Sequence, residues 1–369
     1  MKITFLVPGY IWSPSGGIRV IYEYANQLVS RGHEVAVVHP LRSPHVPSAE
    51  NVNVRQWARD KLEHLAGLAL TPSVKWQSID KRVRLLYVRN PDSDNIPDAD
   101  IIFATGWTTV GPVLEYPRSK GEKCYLIQGY ESYHARKELV DATWRAPLRK
   151  VVIAKWMLDL GRELGCDDLS YIPNAIDHKR YRLTQPIKGR SKQVAMLFSS
   201  TQIKGASDGI EALRIVRERN PDLKVVFFGL SRRLKWIPEW VTYYRNPAQD
   251  FLINEIYNKS SIFLAPSWSE GSPLPPAEAA SCGCAIVATD IGGFKEYIQD
   301  GVTGLLSPAR EPKTLAENLR MLLADEQLRV RLAQACNSFL SRASWERSTD
   351  LLEDFMCNVA RQTADAVLN

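Results

Sequence analysis

No two of the six cysteines in this chain stand at Cys-x-x-Cys spacing, and none of the six histidines stands at metal-ligand spacing from another. Cys124, Cys166, Cys282, Cys284, Cys336 and Cys357 therefore read as reduced, buried small hydrophobes, and a structural metal site is not indicated. No apolar run approaches the roughly 20 residues that a membrane-spanning helix needs. Residues 2–8, Lys-Ile-Thr-Phe-Leu-Val-Pro, are too short for a signal-peptide core with its cleavage site and read as a buried first strand. The chain is accordingly expected to stay in the cytosol. Internal repeats and low-complexity segments are absent. So is the Gly-x-Gly-x-x-Gly fingerprint, because Ser13-Pro-Ser-Gly16-Gly17 does not match it, which removes the usual sign of dinucleotide binding. Nothing in the pattern suggests a nucleic-acid partner.

What is present suits a globular protein of two ordinary domains: 369 residues, 45% of them hydrophobic and 24% charged,. The net charge is +6, and residues 1–184 hold 25 Lys and Arg against 20 Asp and Glu, so nearly all of the excess sits in the first half. A mildly basic half suits an acidic acceptor or an anionic membrane surface, or it is ordinary surface scatter.

Short apolar runs alternate with helical patterns throughout, which implies parallel strands covered on both faces. In the first half the expected strands are Ile3–Val7, Val35–Val38, Val83–Val88, Ile101–Thr105, Cys124–Gln128 and Val151–Ala154. Ile18, Ile21, Tyr22, Ala25, Leu28 and Val29 share one helical face, and Gly32 stops that helix,. Residues 41–82 carry no clear period. The stretch Thr184–Ser191 has linker composition and marks the expected boundary, between a domain over 1–184 and one over 185–345,. In the second half the expected strands are Val194–Ser199, Val225–Gly229, Val241–Tyr244, Ile262–Ala265 and Ala285–Ala288. Helices are expected near 206–219, 250–259, 275–283, 313–324, 326–341 and 346–367. Two doubly wound α/β domains of this kind take a ligand outside the carboxyl ends of their strands, so a cleft between the domains is the expected place for it.

The segment richest in chemistry is Ser267-Trp-Ser-Glu-Gly-Ser-Pro-Leu-Pro-Pro-Ala-Glu278. A strand precedes it and a helix follows, so backbone N–H groups and a helix dipole can face a phosphate. Eight residues of straight helix would set Glu270 and Glu278 about 12 Å apart, too far for a catalytic acid pair. With a loop between them they could bracket one extended polyhydroxylated ligand.

This segment resembles the E-x7-E motif of retaining glycosyltransferases with the GT-B fold, the fourth glycosyltransferase family. The resemblance runs through most of the chain: Gly16-Gly17, Arg31-Gly32-His33-Glu34-Val35, Ile172-Pro-Asn174-Ala-Ile-Asp177, Lys204-Gly205, Gly283, Gly292-Gly293, Gly301-Val-Thr-Gly-Leu-Leu306 and Ser344-Trp345-Glu346. It implies two Rossmann-like domains, with the helix over 346–369 crossing back onto the first. It also implies roles for single residues. Lys204 would be a cation on the donor diphosphate, though a lysine at a helix start is ordinarily just solvated. Glu270 would accept from donor-sugar hydroxyls and Glu278 from the ribose, while the dipole would also favour Glu278 for its own sake. Backbone amides around Ser272, Pro273 and Leu274 would face the diphosphate, and the Tyr244-Arg245-Asn246 turn would hold the base. Gly16 and Gly17 would let the backbone approach donor or acceptor closely, unless they form a plain turn.

Two departures stand out. Relatives carry an arginine five residues before the lysine, where this chain has Ser199; Arg19 is the candidate substitute, with a helix-surface arginine as the alternative. Relatives commonly end a first-domain strand with histidine, where this chain has Gln128, an amide that can bond a sugar hydroxyl but cannot act as acid or base. The resemblance supplies a front-face route in which the departing phosphate takes the acceptor's proton. Glu131 and His134 are candidate acceptor contacts, or surface-turn residues. Asp92-Ser-Asp94 and Asp98-Ala-Asp100 precede a strand rather than follow one and read as a solvated loop. Basic and aromatic residues interleave over His134–Lys150, consistent with peripheral membrane contact or with ordinary helix packing.

The expectation is a metal-independent, cofactor-free retaining glycosyltransferase. It would move a hexose or deoxyhexose from a nucleotide diphosphate sugar to a saccharide or lipid-linked saccharide. A sugar-nucleotide epimerase of the same architecture and a catalytically silent nucleotide-sugar-binding partner are the alternatives.

Overall fold

The computed structural model describes residues 1–10, 13–41, 74, 76–133, 135–166 and 168–368. The chain forms two compact units, Met1–Pro173 with Trp345–Asn369, and Asn174–Ser344.

The first unit is built on seven strands: β1 (Lys2–Leu6), β2 (Glu34–Pro40), β3 (Arg84–Val88), β4 (Ile101–Ala104), β5 (Glu122–Ile127), β6 (Arg149–Val152) and β7 (Leu169–Tyr171). They pair in parallel in the order β3-β2-β1-β4-β5-β6-β7, so the winding reverses between β1 and β4. Register puts Phe5 beside Val37 on one side and Phe103 on the other. All three are fully buried, and each such side chain stabilises the sheet by about 1.5–3 kcal/mol. The helices are α1 (Gly16–Ser30), α2 (Trp107–Glu115), α3 (Lys137–Arg145), α4 (Lys155–Glu163) and a closing helix over Trp345–Leu368. The closing helix is fastened to α1 and the turn after it by charged and aromatic contacts. Arg31 donates to Asp350 at 2.6 Å and to Glu353, His33 pairs with Glu353 at 2.7 Å, and Trp345 meets Tyr24 edge-on.

The second unit has six parallel strands: β8 (Gln193–Leu197), β9 (Lys224–Gly229), β10 (Val241–Arg245), β11 (Ile262–Ala265), β12 (Ala285–Thr289) and β13 (Leu305–Ser307), in the order β10-β9-β8-β11-β12-β13. Its winding reverses between β8 and β11. Its helices are α5 (Ala206–Arg217), α6 (Leu274–Ser281), α7 (Pro312–Ala324) and α8 (Glu326–Leu340). The helix expected near 250–259 is instead one helical turn, Gln249–Phe251, running into a wider π turn, Leu252–Tyr257. The extra residue in that turn matters, since π turns re-aim side chains, and this one brings Tyr257 to Glu278.

The linker-like stretch Thr184–Ser191 lies within the second unit. Arg190 ties it there, donating to the carbonyls of Gln185, Pro186, Ser260 and Cys282. Composition alone misreads such a stretch, because one buried arginine can satisfy several backbone groups at once. The short strands β7 and β13 were not expected; three residues carry too little pattern to announce a strand.

Candidate active site

Lys204 follows β8 and Glu270 follows β11, the two neighbouring strands at which the second sheet reverses. The Lys204 ammonium donates to both carboxylate oxygens of Glu270 at 2.8 Å. Ser267 adds a third donor, its hydroxyl reaching Glu270 Oε1 at 2.8 Å. The lysine side chain is 31% exposed and the glutamate 14%, so the pair opens toward solvent on the lysine side. Two of the ammonium's three protons are engaged, which leaves one N–H for an anion.

Backbone contacts fix this pair before any ligand arrives. The amide of Trp268 donates to Ile203 O at 2.7 Å, tying the β11 loop to the lysine turn. Gly205 sits at φ +60, and a Cβ there would lie 2.0 Å from Pro266 O, so only glycine lets the two loops touch. On the far side a Cβ at Gly293 would lie 2.6 Å from Glu270 O. Trp268 locks the arrangement laterally, donating to Asp208 at 2.6 Å with the Arg310 guanidinium 4.4 Å over its ring.

The helix start behaves differently from a simple phosphate cradle. Among residues 272–276 only Ser272 and Leu274 carry an N–H, because Pro273, Pro275 and Pro276 have none,. Pro273 can therefore shape the turn but donate nothing. Its carbonyl accepts from Tyr297 at 3.1 Å. Asn174 sits close by, its amide nitrogen 3.5 Å from Ser272 O. Asn174 Oδ1 is buried with no hydrogen-bond partner among the described residues, an acceptor awaiting a donor. Glu278 lies in the second turn of α6, is 3% exposed and accepts from Tyr257 at 3.3 Å. It stands too far along the helix to act as a first-turn carboxylate.

Ser199 follows β8, and its hydroxyl accepts from the Thr201 amide at 3.2 Å. Tyr244 is exposed and packs on Phe251 with ring centroids 4.9 Å apart. Arg245 donates to Leu230 O at 3.3 Å, and Asn246 turns the chain at φ 44. One aromatic at this edge escaped the sequence reading. Trp236, after β9, is 49% exposed and lies 5.3 Å from Phe198, on a loop held by Arg233 donating to Val241 O and Pro238 O. The run Arg232-Arg-Leu-Lys-Trp236 was the available signal.

In the first unit, Gly16 opens α1 and Gly17 touches Gln128, which directly follows β5. A Cβ at Gly17 would sit 3.4 Å from Gln128 Nε2. The N-cap of α1, Ser15, makes no side-chain cap bond. Gln128 Oε1 is buried without a hydrogen-bond partner among the described residues. Uncapped amides and an unsatisfied amide oxygen thus meet at the carboxyl edge of this sheet. Arg19 lies in the first turns of the same helix. Glu131 accepts from the Trp107 amide at 2.9 Å and so caps α2; burial raises its carboxyl above the ordinary range. His134 lies outside the described residues. Among the aspartates of the 90–100 stretch, Asp98 accepts from Lys120 at 2.9 Å and Asp100 from the Lys2 amide at 2.7 Å. Trp144 of the basic-aromatic segment is wholly buried. No helix among the described residues is long and apolar enough to cross a membrane.

Residues 178–338 match the family described as glycosyl transferases group 1. A D-inositol 3-phosphate glycosyltransferase of Corynebacterium efficiens is 26% identical over 221 residues, 54% of this chain and 51% of the relative. The match thus spans about half of that relative's length. An N,N'-diacetylbacillosaminyl-diphospho-undecaprenol alpha-1,3-N-acetylgalactosaminyltransferase of Campylobacter jejuni is 35% identical over 101 residues, 27% of this chain and 26% of its own. In structure, Anabaena HepE in complex with UDP and glucose superposes with a TM-score of 0.67 at 16% identity, covering 100% of this chain and 99% of its own.

Proposed function

We propose, from the premise that residues 178–338 belong to the glycosyl transferases group 1 family on a GT-B fold, that this protein transfers a sugar from a nucleotide diphosphate donor to a saccharide or lipid-linked saccharide. The Lys204–Glu270 pair carries the reading. A fixed carboxylate and a cation with one unspent N–H stand together where the second sheet reverses, the place such sheets bind ligands. Lys204, with the amides of Ser272 and Leu274, would stabilise charge building on the leaving diphosphate. Glu270 would orient the sugar through its hydroxyls, and Glu278 would take the ribose. Trp236 on Phe198 and Tyr244 on Phe251 offer flat apolar faces for a base. In the first unit, the amide of Gln128 and the start of α1 would hold donor or acceptor oxygens.

Retention of configuration and independence from metal belong to the same proposal. Glu270 has its oxygens engaged by an ammonium and a hydroxyl, which fits a holding role. That suits a route in which the departing phosphate takes the acceptor's proton. One observation favours the rival of a silent binding partner: three prolines and Ser199 leave the diphosphate few donors.

The test is a thermal-shift panel of UDP-, GDP-, ADP- and dTDP-sugars in EDTA, followed by donor hydrolysis without acceptor. One donor should raise the melting temperature and be hydrolysed slowly with its anomeric configuration kept. Stabilisation without any turnover would favour the silent partner, and no shift with any donor would sink the proposal.

A further inference from the structure

Arg145, Arg149 and Lys150, three basic residues of the His134–Lys150 segment, line a cavity of about 1020 Å³. It lies at the amino ends of β5 and β6, the edge of the first sheet opposite Gln128 and Gly17. Arg118, Lys123, Arg145, Arg149 and Lys150 line it, against the carboxylates of Glu122 and Asp168.

Most of these cations are held by neutral groups. Lys150 donates to Ala146 O at 2.8 Å and Leu148 O at 2.9 Å, Arg145 to Leu164 O at 3.0 Å, and Lys123 to Leu114 O at 2.5 Å. Carbonyls fix a cation in place without cancelling its charge. Among the described residues, only Arg149 is paired with a carboxylate of the lining, Asp168 at 2.6 Å. Lys150 is 5% exposed, and two carbonyls leave one of its three N–H donors unspent. A buried ammonium without a carboxylate partner is costly, and an anion in the cavity would offset that cost. Positive groups immobilised before the ligand arrives lose little on binding it.

We propose that this cavity is a second binding site, for a phosphate-bearing anion, at the opposite edge of the first sheet from the glycine turn. The assignment does not depend on the glycosyl-transfer reading.

The experiment is calorimetric titration of the full chain with inorganic pyrophosphate, in the wild type and in Lys204→Ala, which disables the other candidate phosphate site. Binding should persist in Lys204→Ala. In that background the exposed pair of changes Arg118→Glu and Arg145→Glu should weaken it by about tenfold or more, as loss of charged hydrogen bonds requires. Asp168→Asn, which releases Arg149, should tighten it, an effect that misfolding cannot imitate. Sedimentation with phosphatidylglycerol vesicles separates the sources. Pelleting that is lost in the double charge reversal identifies a lipid headgroup. Pyrophosphate binding without pelleting identifies a soluble phosphate compound. Pyrophosphate binding that vanishes in Lys204→Ala, or that ignores both sets of changes at the cavity, would overturn the proposal, as would no binding at all.

Discussion

One ammonium spans both carboxylate oxygens across 66 residues of sequence: Lys204 Nζ stands 2.8 Å from Glu270 Oε1 and 2.8 Å from Oε2. Each residue is therefore part of the other's position. Removing either leaves a partly buried charge without its partner and loosens the geometry at once. Lys204→Ala and Glu270→Gln should each cut transfer severely and lower the melting temperature only modestly, because the lysine end of the pair is 31% exposed. The double variant should be little worse than the poorer single one, a coupling of about 1–3 kcal/mol in a double-mutant cycle. Purely additive losses would show that the two act separately.

The glycines beside the pair test whether backbone proximity places it. Gly205→Ala adds a methyl 2.0 Å from Pro266 O at a residue held at φ +60, and should destabilise by about 1–3 kcal/mol. Gly293→Ala meets Glu270 O at 2.6 Å and should shift the glutamate. Its expected signature is a loss of kcat that exceeds the loss of stability. Equal effects on both would mean that Gly293 serves packing alone.

Much of this was legible in the residues. Apolar runs of four residues at Ile262–Ala265 and Val35–Val38 announce buried parallel strands, since only a sheet covered on both faces suits unbroken hydrophobicity. The order of motifs put Lys204 and Glu270 in one site. What escaped was geometry across the chain. No spacing rule says that the lysine and glutamate neutralise each other, or that Glu131 spends an oxygen on the Trp107 amide. The significance of Pro273, Pro275 and Pro276 was readable too, because a missing N–H is a property of the residue. The Trp144 segment left two readings open for the opposite reason: alternating basic and aromatic residues look alike whether the aromatic faces lipid or core, and Trp144 itself is buried.

Gln128 tests the first unit. Its Oε1 is buried without a partner among the described residues, beside Gly17, a cost of about 1–3 kcal/mol that apolar replacement removes. Gln128→Leu should therefore leave stability unchanged or raise it, and it should lower transfer by raising KM for donor or acceptor. A destabilised but fully active variant would place the amide in the scaffold instead.

His39 supplies a pH dependence whose sign follows from burial. The ring is 1% exposed, lies 3.1 Å from Tyr22 Oη and stacks on Tyr87 at 5.1 Å. Burial lowers its pKa to about 4, whereas an unfolded chain protonates histidine near 6.5. Between those values the unfolded state holds the extra proton, so stability falls as pH drops from about 6.5 to 4 and is unaffected by this group above that window. The whole effect is on the order of 3 kcal/mol. His39→Gln keeps a polar partner for Tyr22 but cannot titrate. Urea melts from pH 4 to 7 should therefore show a shallower decline in the variant than in the wild type. Parallel curves would mean that the imidazole is protonated in the folded chain, and the aromatic cluster at the carboxyl edge of the first sheet would then hold a charge.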